Sequence, residues 1–154
     1  MDNFDDFVNQ LQEQIFDEAR EAYGEKGFHR WRNPRFNGRM DAPDGYAGLT
    51  GECGDTIEIF LKFENDRVRQ ASYVTDGCAS SAICGSFAAE LAMGKDPDEL
   101  TDITGEAVLA EIGRLPASDR HCAGLAAASL QEALSNYMTR RRSAGDKQEK
   151  GEKK

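Results

Sequence analysis

The sequence predicts an α+β domain in which helices pack on a small antiparallel sheet of three strands. Between residues 56 and 75, apolar and polar residues alternate around an Asn-Asp pair, which is typical of two strands joined by a tight turn. Before and after this region, apolar residues recur at intervals of three and four, which is typical of helices. Because the strands follow the first helix together and the other helices come after them, the pattern indicates an α+β arrangement.

The first predicted helix covers Phe4 to about Tyr23 and ends at Gly24. Six glycines and two prolines lie between Gly27 and Gly54, so we expect a long loop there with one short strand near residues 46–49. The apolar stripe of the first helix consists of Phe7, Val8, Leu11, Ile15, Phe16, Ala19 and Tyr23.

The two longer strands are predicted at Thr56–Phe63 and Val68–Thr75. Asn65 and Asp66 tolerate the positive φ angles that a two-residue hairpin requires, so these strands should pair antiparallel.

Three helices are predicted directly after the sheet. Ser80 or Ser81 is expected to cap the first, which ends at Gly94. Asp96-Pro97 and Thr104 mark the starts of two short helices, since Pro is favoured in a first turn and Thr at a cap.

The last predicted helix begins near Ser118 or Asp119 and ends at about Arg142. The segment beyond it contains no large apolar residue, so we expect a disordered tail. The predicted division is therefore one domain at residues 1–142 and a polar tail at residues 143–154.

The charge of the chain limits the classes of partner. The formal net charge is −9, and seven basic and three acidic residues follow Thr139, so the first 139 residues carry −13. A surface of this sign repels phosphate backbones, so we expect no nucleic acid partner and favour basic proteins. No apolar stretch approaches the length of a membrane span, and the N-terminus lacks the basic and apolar parts of a secretory signal. We therefore predict a cytoplasmic protein without a membrane partner.

Three of the four cysteines, Cys53, Cys78 and Cys122, fall at the ends of predicted elements. A helix N-terminus lowers the pKa of a thiol, so Cys78 and Cys122 are expected to favour the thiolate that binds metal. Asp55 and His121 add a carboxylate and an imidazole close in sequence. The spacings of 25 and 44 residues match no zinc-finger pattern, so the residues alone leave open both a metal site and buried core cysteines.

Two further residues with metal-binding side chains are assigned no role. Cys84 follows Ile83 within a predicted helix and is expected to be a small buried core residue. His29 lies near Phe28 and Trp31, without a neighbouring cysteine, and is expected to pack rather than bind metal.

Three motifs carry the cysteines: G-E-C-G-D at residues 51–55, D-G-C-A-S-S at residues 76–81 and R-H-C-A-G-L-A at residues 120–126. Together they resemble the U-type iron-sulfur scaffold family, also represented by the N-terminal unit of NifU-like proteins. The resemblance covers about residues 4–142 and implies the U-type scaffold fold. It also implies a scaffold rather than an enzyme, with a [2Fe-2S] cluster bound by Cys53, Cys78 and Cys122. Asp55 or His121 would then supply the fourth ligand, and zinc or iron would occupy the cluster-free site.

The resemblance further implies that a cysteine desulfurase passes persulfide sulfur to Cys122 and that apo iron-sulfur proteins receive the cluster. A homodimer is left open. The alternative is a zinc-dependent sulfurtransferase, in which Cys53, Asp55, Cys78 and Cys122 hold the metal. His121 and the lack of an evident insertion favour the scaffold. A structural zinc adaptor is a third interpretation, and metal removal would unfold such a protein.

Overall fold

The computed structural model describes the backbone of residues 2–152 and the side chains of residues 3–145. Five α-helices, one 3₁₀ helix and three strands follow one another in this part of the chain. In order they are α1 (Asp2–Arg32), β1 (Gly45–Thr50), β2 (Thr56–Glu64), β3 (Arg67–Thr75), α2 (Ala79–Ala92), α3 (Pro97–Leu100), α4 (Gly105–Ile112), the 3₁₀ helix (Ala117–Asp119) and α5 (His121–Glu152).

The sheet has the order β1-β2-β3 and is antiparallel throughout, which confirms the predicted fold class. Asn65 and Asp66 have φ angles of 54° and 62°, as a two-residue hairpin with matching twist requires. Thr50 pairs with Thr56 at the opposite end of the sheet, and Ile57 pairs with Thr75. The loop after β1 and the loop after β3 therefore lie at the same end of the sheet.

The hydrophobic core lies between one face of the sheet and the helices α2 and α5. Ile57, Ile59 and Leu61 alternate along β2 and are completely buried, as the period of two predicts. Ile83 of α2 and Leu130 of α5 are also buried in this cluster. Packing against these side chains fixes where α2 and α5 begin, and both begin near the loops just described.

The predicted loop from Gly27 to Gly54 is wrong at its start, because α1 continues to Arg32. The short strand predicted near residues 46–49 is confirmed as β1 (Gly45–Thr50). Gly24 leaves the helical conformation (φ 73°, ψ 177°), so α1 consists of two helical segments joined by a sharp turn. The second segment is held by Arg30, which is buried and donates hydrogen bonds to Ser86 and Glu90. These tertiary contacts outweigh the low helix propensity of the neighbouring glycines.

The helix starts agree with the prediction at α3 and α4 but not at α2. Asp96 forms a capping box with Glu99, and Thr104 accepts a hydrogen bond from the backbone N–H of Ala107. At α2 the N-cap is Cys78, whereas Ser80 and Ser81 are inside the helix and buried. Their hydroxyls donate to carboxylates on other segments instead of capping.

The last helix begins at His121, after the 3₁₀ helix, and its backbone is helical to Glu152. This end lies ten residues beyond the predicted one. The division into a domain at 1–142 and a polar tail at 143–154 stays a prediction, because the tail's side chains beyond Gly145 lie outside the described residues. Within the described part of the chain, no helix has the length and apolar character needed to cross a membrane.

Substituting Gly24 by alanine should destabilise the fold. An alanine here would have to keep the positive φ angle of 73°, which residues with a side chain rarely adopt. Its Cβ would also lie 3.3 Å from the Cβ of Arg114. We expect a loss of about 1–3 kcal/mol in the free energy of unfolding, measured by urea denaturation. Gly145→Ala is the matched control, since that glycine lies in open space within α5 and the change should be neutral or slightly stabilising. Equal effects of the two changes would contradict the strained turn.

Candidate functional site

Cys53 and Asp55 lie in the short loop that joins β1 to β2. The backbone N–H of Gly51 donates to the carbonyl of Asp55 at 2.9 Å, which closes the loop at its base. Cys53 therefore lies at the tip of a hairpin and is exposed, rather than at the end of a long irregular loop.

The other two predicted cysteines lie at the starts of the helices that cover the sheet. Cys78 is the N-cap of α2 and Cys122 is the second residue of α5. Asp76 accepts a hydrogen bond from the backbone N–H of Thr56 at 2.9 Å, which ties the start of α2 to the loop that carries Asp55. Three segments that are far apart in sequence thus meet at one end of the sheet.

The structure brings three of the five predicted site residues within metal-binding distance of one another, and His121 links Cys53 to them. The ligand atoms of Asp55, Cys78 and Cys122 lie within 4.8 Å of one another. The Nε2 atom of His121 lies 3.2 Å from the Sγ atom of Cys53 and 3.7 Å from that of Cys122. Cys53 and Cys78 are exposed and Cys122 is buried, so the cluster opens to solvent on one side only.

Ser81 is a member of this cluster that the sequence interpretation missed. Its buried hydroxyl donates to Asp55 Oδ2 at 2.8 Å and lies 3.5 Å from Cys122 Sγ. It is also 3.9 Å from Cys78 Sγ. The spacing held a signal, because residues three apart lie on one face of a helix and Ser81 follows Cys78 by three.

Gly77 allows the carboxylate of Asp55 to approach the backbone before Cys78. A Cβ at this residue would lie 2.6 Å from Asp55 Oδ2, which is closer than nonbonded atoms approach. The backbone N–H of Cys78 points at the same oxygen from 3.5 Å. The absence of a side chain at residue 77 therefore sets the position of the acid beside the thiols.

The electrostatics of the cluster contradict one prediction. The hydrogen bond from Ser81, with a smaller contribution from the backbone of Cys78, lowers the pKa of Asp55 below its usual range. Burial raises the pKa of Cys122 to about 11, although it lies at a helix N-terminus. The predicted lowering of the Cys122 pKa is therefore wrong for the metal-free protein, because burial raises this pKa more than the hydrogen bond from Ser81 lowers it.

The prediction of a buried core residue is confirmed for Cys84, whereas the prediction that His29 packs is wrong, because His29 is exposed. Cys84 is completely buried in the core, and burial raises the pKa of its thiol strongly. His29 is exposed and lines a cleft with Lys26, Arg30 and Glu90, away from the cysteines.

The donor set consists of three thiols, a carboxylate and an imidazole. Thiolates prefer soft metals and iron-sulfur clusters, while carboxylate and imidazole form more exchangeable bonds to iron and zinc. The residues present thus fit a thiophilic metal or cluster that enters from the open side.

Comparison with known proteins identifies the family. The family described as "NifU-like N terminal domain" matches residues 22–144. The chain belongs to this family. Residues 1–21, which include most of α1, lie outside the matched range.

Several relatives have names that refer to iron-sulfur cluster assembly. The "Iron-sulfur cluster assembly scaffold protein IscU 1" of Archaeoglobus fulgidus is 36% identical over 118 residues, which cover 75% of this chain and 76% of that protein. The "Iron sulfur cluster assembly protein 1" of Trachipleistophora hominis is 32% identical, covering 80% of this chain and 91% of that one. The N-terminal part of a NifU-like protein from Brucella abortus has a similar fold, with a TM-score of 0.61, 19% identity and coverage of 78% and 96% of the two chains.

Removing the hydroxyl of Ser81 should raise the pKa of Asp55. The hydrogen bond stabilises the carboxylate, so Ser81→Ala should shift the titration of Asp55 towards higher pH, measured by NMR on the metal-free protein. Ser80→Ala is the matched control, because that neighbouring hydroxyl donates to Asp119 instead. An Asp55 pKa that is unchanged in the first variant would disprove the assigned role of Ser81.

Proposed function

We propose that this protein is an iron-sulfur cluster assembly scaffold that builds a [2Fe-2S] cluster on Cys53, Cys78 and Cys122. The observation that carries the proposal is the meeting of three thiols, Asp55 and His121 at one solvent-facing edge of the domain. Membership of the NifU-like family and the names of the relatives support the same role.

The proposed site combines ligands of different strength. Three thiolates would hold the irons firmly, while Asp55 or His121 at the fourth position would exchange more readily. His121 already contacts two of the thiols, whereas Asp55 is held by Ser81 and by the N–H of Cys78. A fourth ligand that can leave without unfolding the domain suits a protein that must release its product.

The arrangement of the thiols suggests how sulfur and metal enter. In the proposal, the Cys122 thiol passes its proton to the imidazole of His121, 3.7 Å away, and attacks the terminal sulfur of a desulfurase persulfide. The sulfur–sulfur bond of the donor breaks, and the desulfurase cysteine leaves as a thiolate. Cys122 is buried and burial raises its pKa, so its thiol must become exposed before it can react. Zinc or iron at the same ligands would occupy the cluster-free site.

The proposed partners follow from this chemistry. They are a cysteine desulfurase that supplies sulfur and apo iron-sulfur proteins that receive the cluster, and the proposed location is cytoplasmic. A scaffold binds and transfers its cargo rather than turning over a substrate, so we do not class this protein as an enzyme. The A. fulgidus relative is named a scaffold, although a Drosophila melanogaster relative that is 32% identical is named an "assembly enzyme". Among the relatives described here, no name supports the zinc-dependent sulfurtransferase alternative.

Anaerobic reconstitution with iron, cysteine and a desulfurase tests the proposal. The protein should develop the absorbance of a [2Fe-2S] cluster. The variants Cys53→Ser, Cys78→Ser and Cys122→Ser should each lower the cluster content about tenfold or more, because losing even a group that only hydrogen-bonds to a metal ligand lowers metal affinity about tenfold. Cys84→Ala is the matched control and should retain the cluster, since Cys84 is buried in the core. A colourless protein that keeps one zinc would refute the scaffold and support the sulfur relay.

Replacing Asp55 by alanine should slow release of the cluster. Without this exchangeable oxygen ligand beside the thiols, transfer from the loaded protein to an apo-ferredoxin should be slower and the loaded form longer-lived. Decay of the scaffold's circular dichroism signal during transfer gives the rate. Asp76→Ala provides a comparison, because it removes another acid from the same end of the sheet, one that hydrogen-bonds to the backbone of Thr56. Transfer from the Asp55 variant at the wild-type rate or faster would contradict this role.

A further inference from the structure

The first turn of α2 carries two adjacent hydroxyls, and each is hydrogen-bonded to a carboxylate on another segment. Ser81 donates to Asp55 in the loop between β1 and β2 at 2.8 Å. Ser80 donates to Oδ2 of Asp119, also at 2.8 Å, although the two residues are 39 apart in sequence. Both serines are completely buried, so water competes little for these hydrogen bonds. The turn that follows Cys78 is therefore tied to both of the other segments that carry predicted ligands.

Asp119 lies directly before the segment that carries His121 and Cys122. It is the last residue of the 3₁₀ helix, and α5 begins two residues later at His121. The backbone N–H of Asp119 donates to the carbonyl of Pro116 at 2.9 Å, which closes the 3₁₀ turn. The position of the Asp119 carboxylate thus determines where the chain enters α5.

Hydrophobic packing does not hold this entry to α5. Leu115 before it and Cys122 after it are buried in the core, but none of the three residues of the 3₁₀ helix is buried. Within the described part of the chain, the contact from Ser80 is the one side-chain hydrogen bond that joins residues 116–120 to another element. Its acceptor is a carboxylate, and hydrogen bonds to ionised groups are stronger than those between neutral groups. This hydrogen bond is therefore the lateral support of the entry.

We propose that Asp119 is a positioning residue, which Ser80 holds so that His121 and Cys122 lie within metal-binding reach of Cys78. The inference rests on the proposed function, because it assigns a role in forming the same site. Removing either partner of the hydrogen bond frees the entry to α5, and the buried thiol then loses its fixed place relative to the start of α2.

Asp119 acts through its neighbours rather than as a ligand. Among the described residues, the side chains that could share one ion are those of Asp55, Cys78 and Cys122. The two serines hold different members of this group. Ser81 places the carboxylate beside the thiols, whereas Ser80 places the thiol of α5 through the chain that follows Asp119.

Cobalt(II) binding to the full-length, reduced and metal-free protein tests the proposal. Cobalt(II) bound by thiolates absorbs through charge transfer, so a titration gives its dissociation constant without any cluster assembly. Ser80→Ala and Asp119→Ala should each raise this constant about tenfold, because groups that orient metal ligands typically contribute this much to affinity. The double variant should bind no more weakly than either single variant, since both changes remove the same hydrogen bond.

Two further variants separate positioning from charge and from the loss of a buried hydroxyl. Asp119→Asn removes the charge but keeps an oxygen that can accept from Ser80, so its affinity should stay near that of the wild type. Ser129→Ala is the matched control, because Ser129 is also completely buried in a helix, but its hydroxyl has no partner in the described part of the chain. This variant should bind cobalt as the wild type does. Circular dichroism checks the fold of each variant, and if Asp119→Ala is unfolded, the comparison of Ser80→Ala with Ser129→Ala decides the result.

The ligand-field bands of the bound cobalt report the geometry of its ligands. At saturating cobalt, Ser80→Ala and Asp119→Ala should show bands that differ from those of the wild type, and Asp119→Asn should restore them. A hydrogen bond that only stabilised the fold would leave the bands of the saturated protein unchanged.

The outcomes distinguish the positioning role from the scaffold role. Cobalt affinities that fall as expected in a protein that builds no cluster would support positioning by Asp119 and refute the scaffold. Wild-type affinity or wild-type bands in Ser80→Ala and Asp119→Ala would overturn the positioning role, whether or not a cluster forms. Equal losses in Asp119→Asn and Asp119→Ala would also overturn it, because the charge alone would then explain the effect. A wild type that binds no cobalt would overturn both roles.

Discussion

The packing of α2 and α5 against one face of the sheet is the constraint on which the site depends. The two helices bury Ile83 and Leu130 against the strands, and this packing fixes where their first turns lie. The β1-β2 loop reaches the same place because Thr50 pairs with Thr56. A rigid core thus brings three thiols together that are separated by 25 and 44 residues. Bringing residues so far apart in sequence into contact costs chain entropy, and the packing of the core offsets this cost.

The metal-free cluster places a charged carboxylate beside a buried thiol. Asp55 keeps its charge because Ser81 stabilises the carboxylate, while Cys122 keeps its proton because it is buried. A thiophilic metal would change this balance by stabilising the thiolate. The neutral thiol of Cys122 therefore lowers the repulsion between negative charges in the metal-free cluster. The carboxylate of Asp55 keeps one negative charge beside the exposed thiols.

The first segment of α1 is separated from the thiols. The thiols lie at the start of α2, whereas the side chains of residues 3–15 are exposed at the other end of the domain. The Gly24 turn makes this separation, since a continuous helix would not bring Phe16 back to Trp31.

The sequence alone determined the elements whose cause is local. The alternation in β2, the Asn65-Asp66 turn and the caps at Asp96 and Thr104 depend on neighbouring residues and were predicted correctly. The five candidate site residues were also identifiable, because the three motifs carry them together.

Only the tertiary structure decided the features that depend on distant contacts. The helical segment after Gly24 exists because Arg30 reaches α2, and Ser81 joins the site because Asp55 lies across from it. The pKa of Cys122 depends on burial, which no neighbouring residue reveals. Local propensity predicts local geometry, whereas packing decides which distant groups share a dielectric environment and a hydrogen bond.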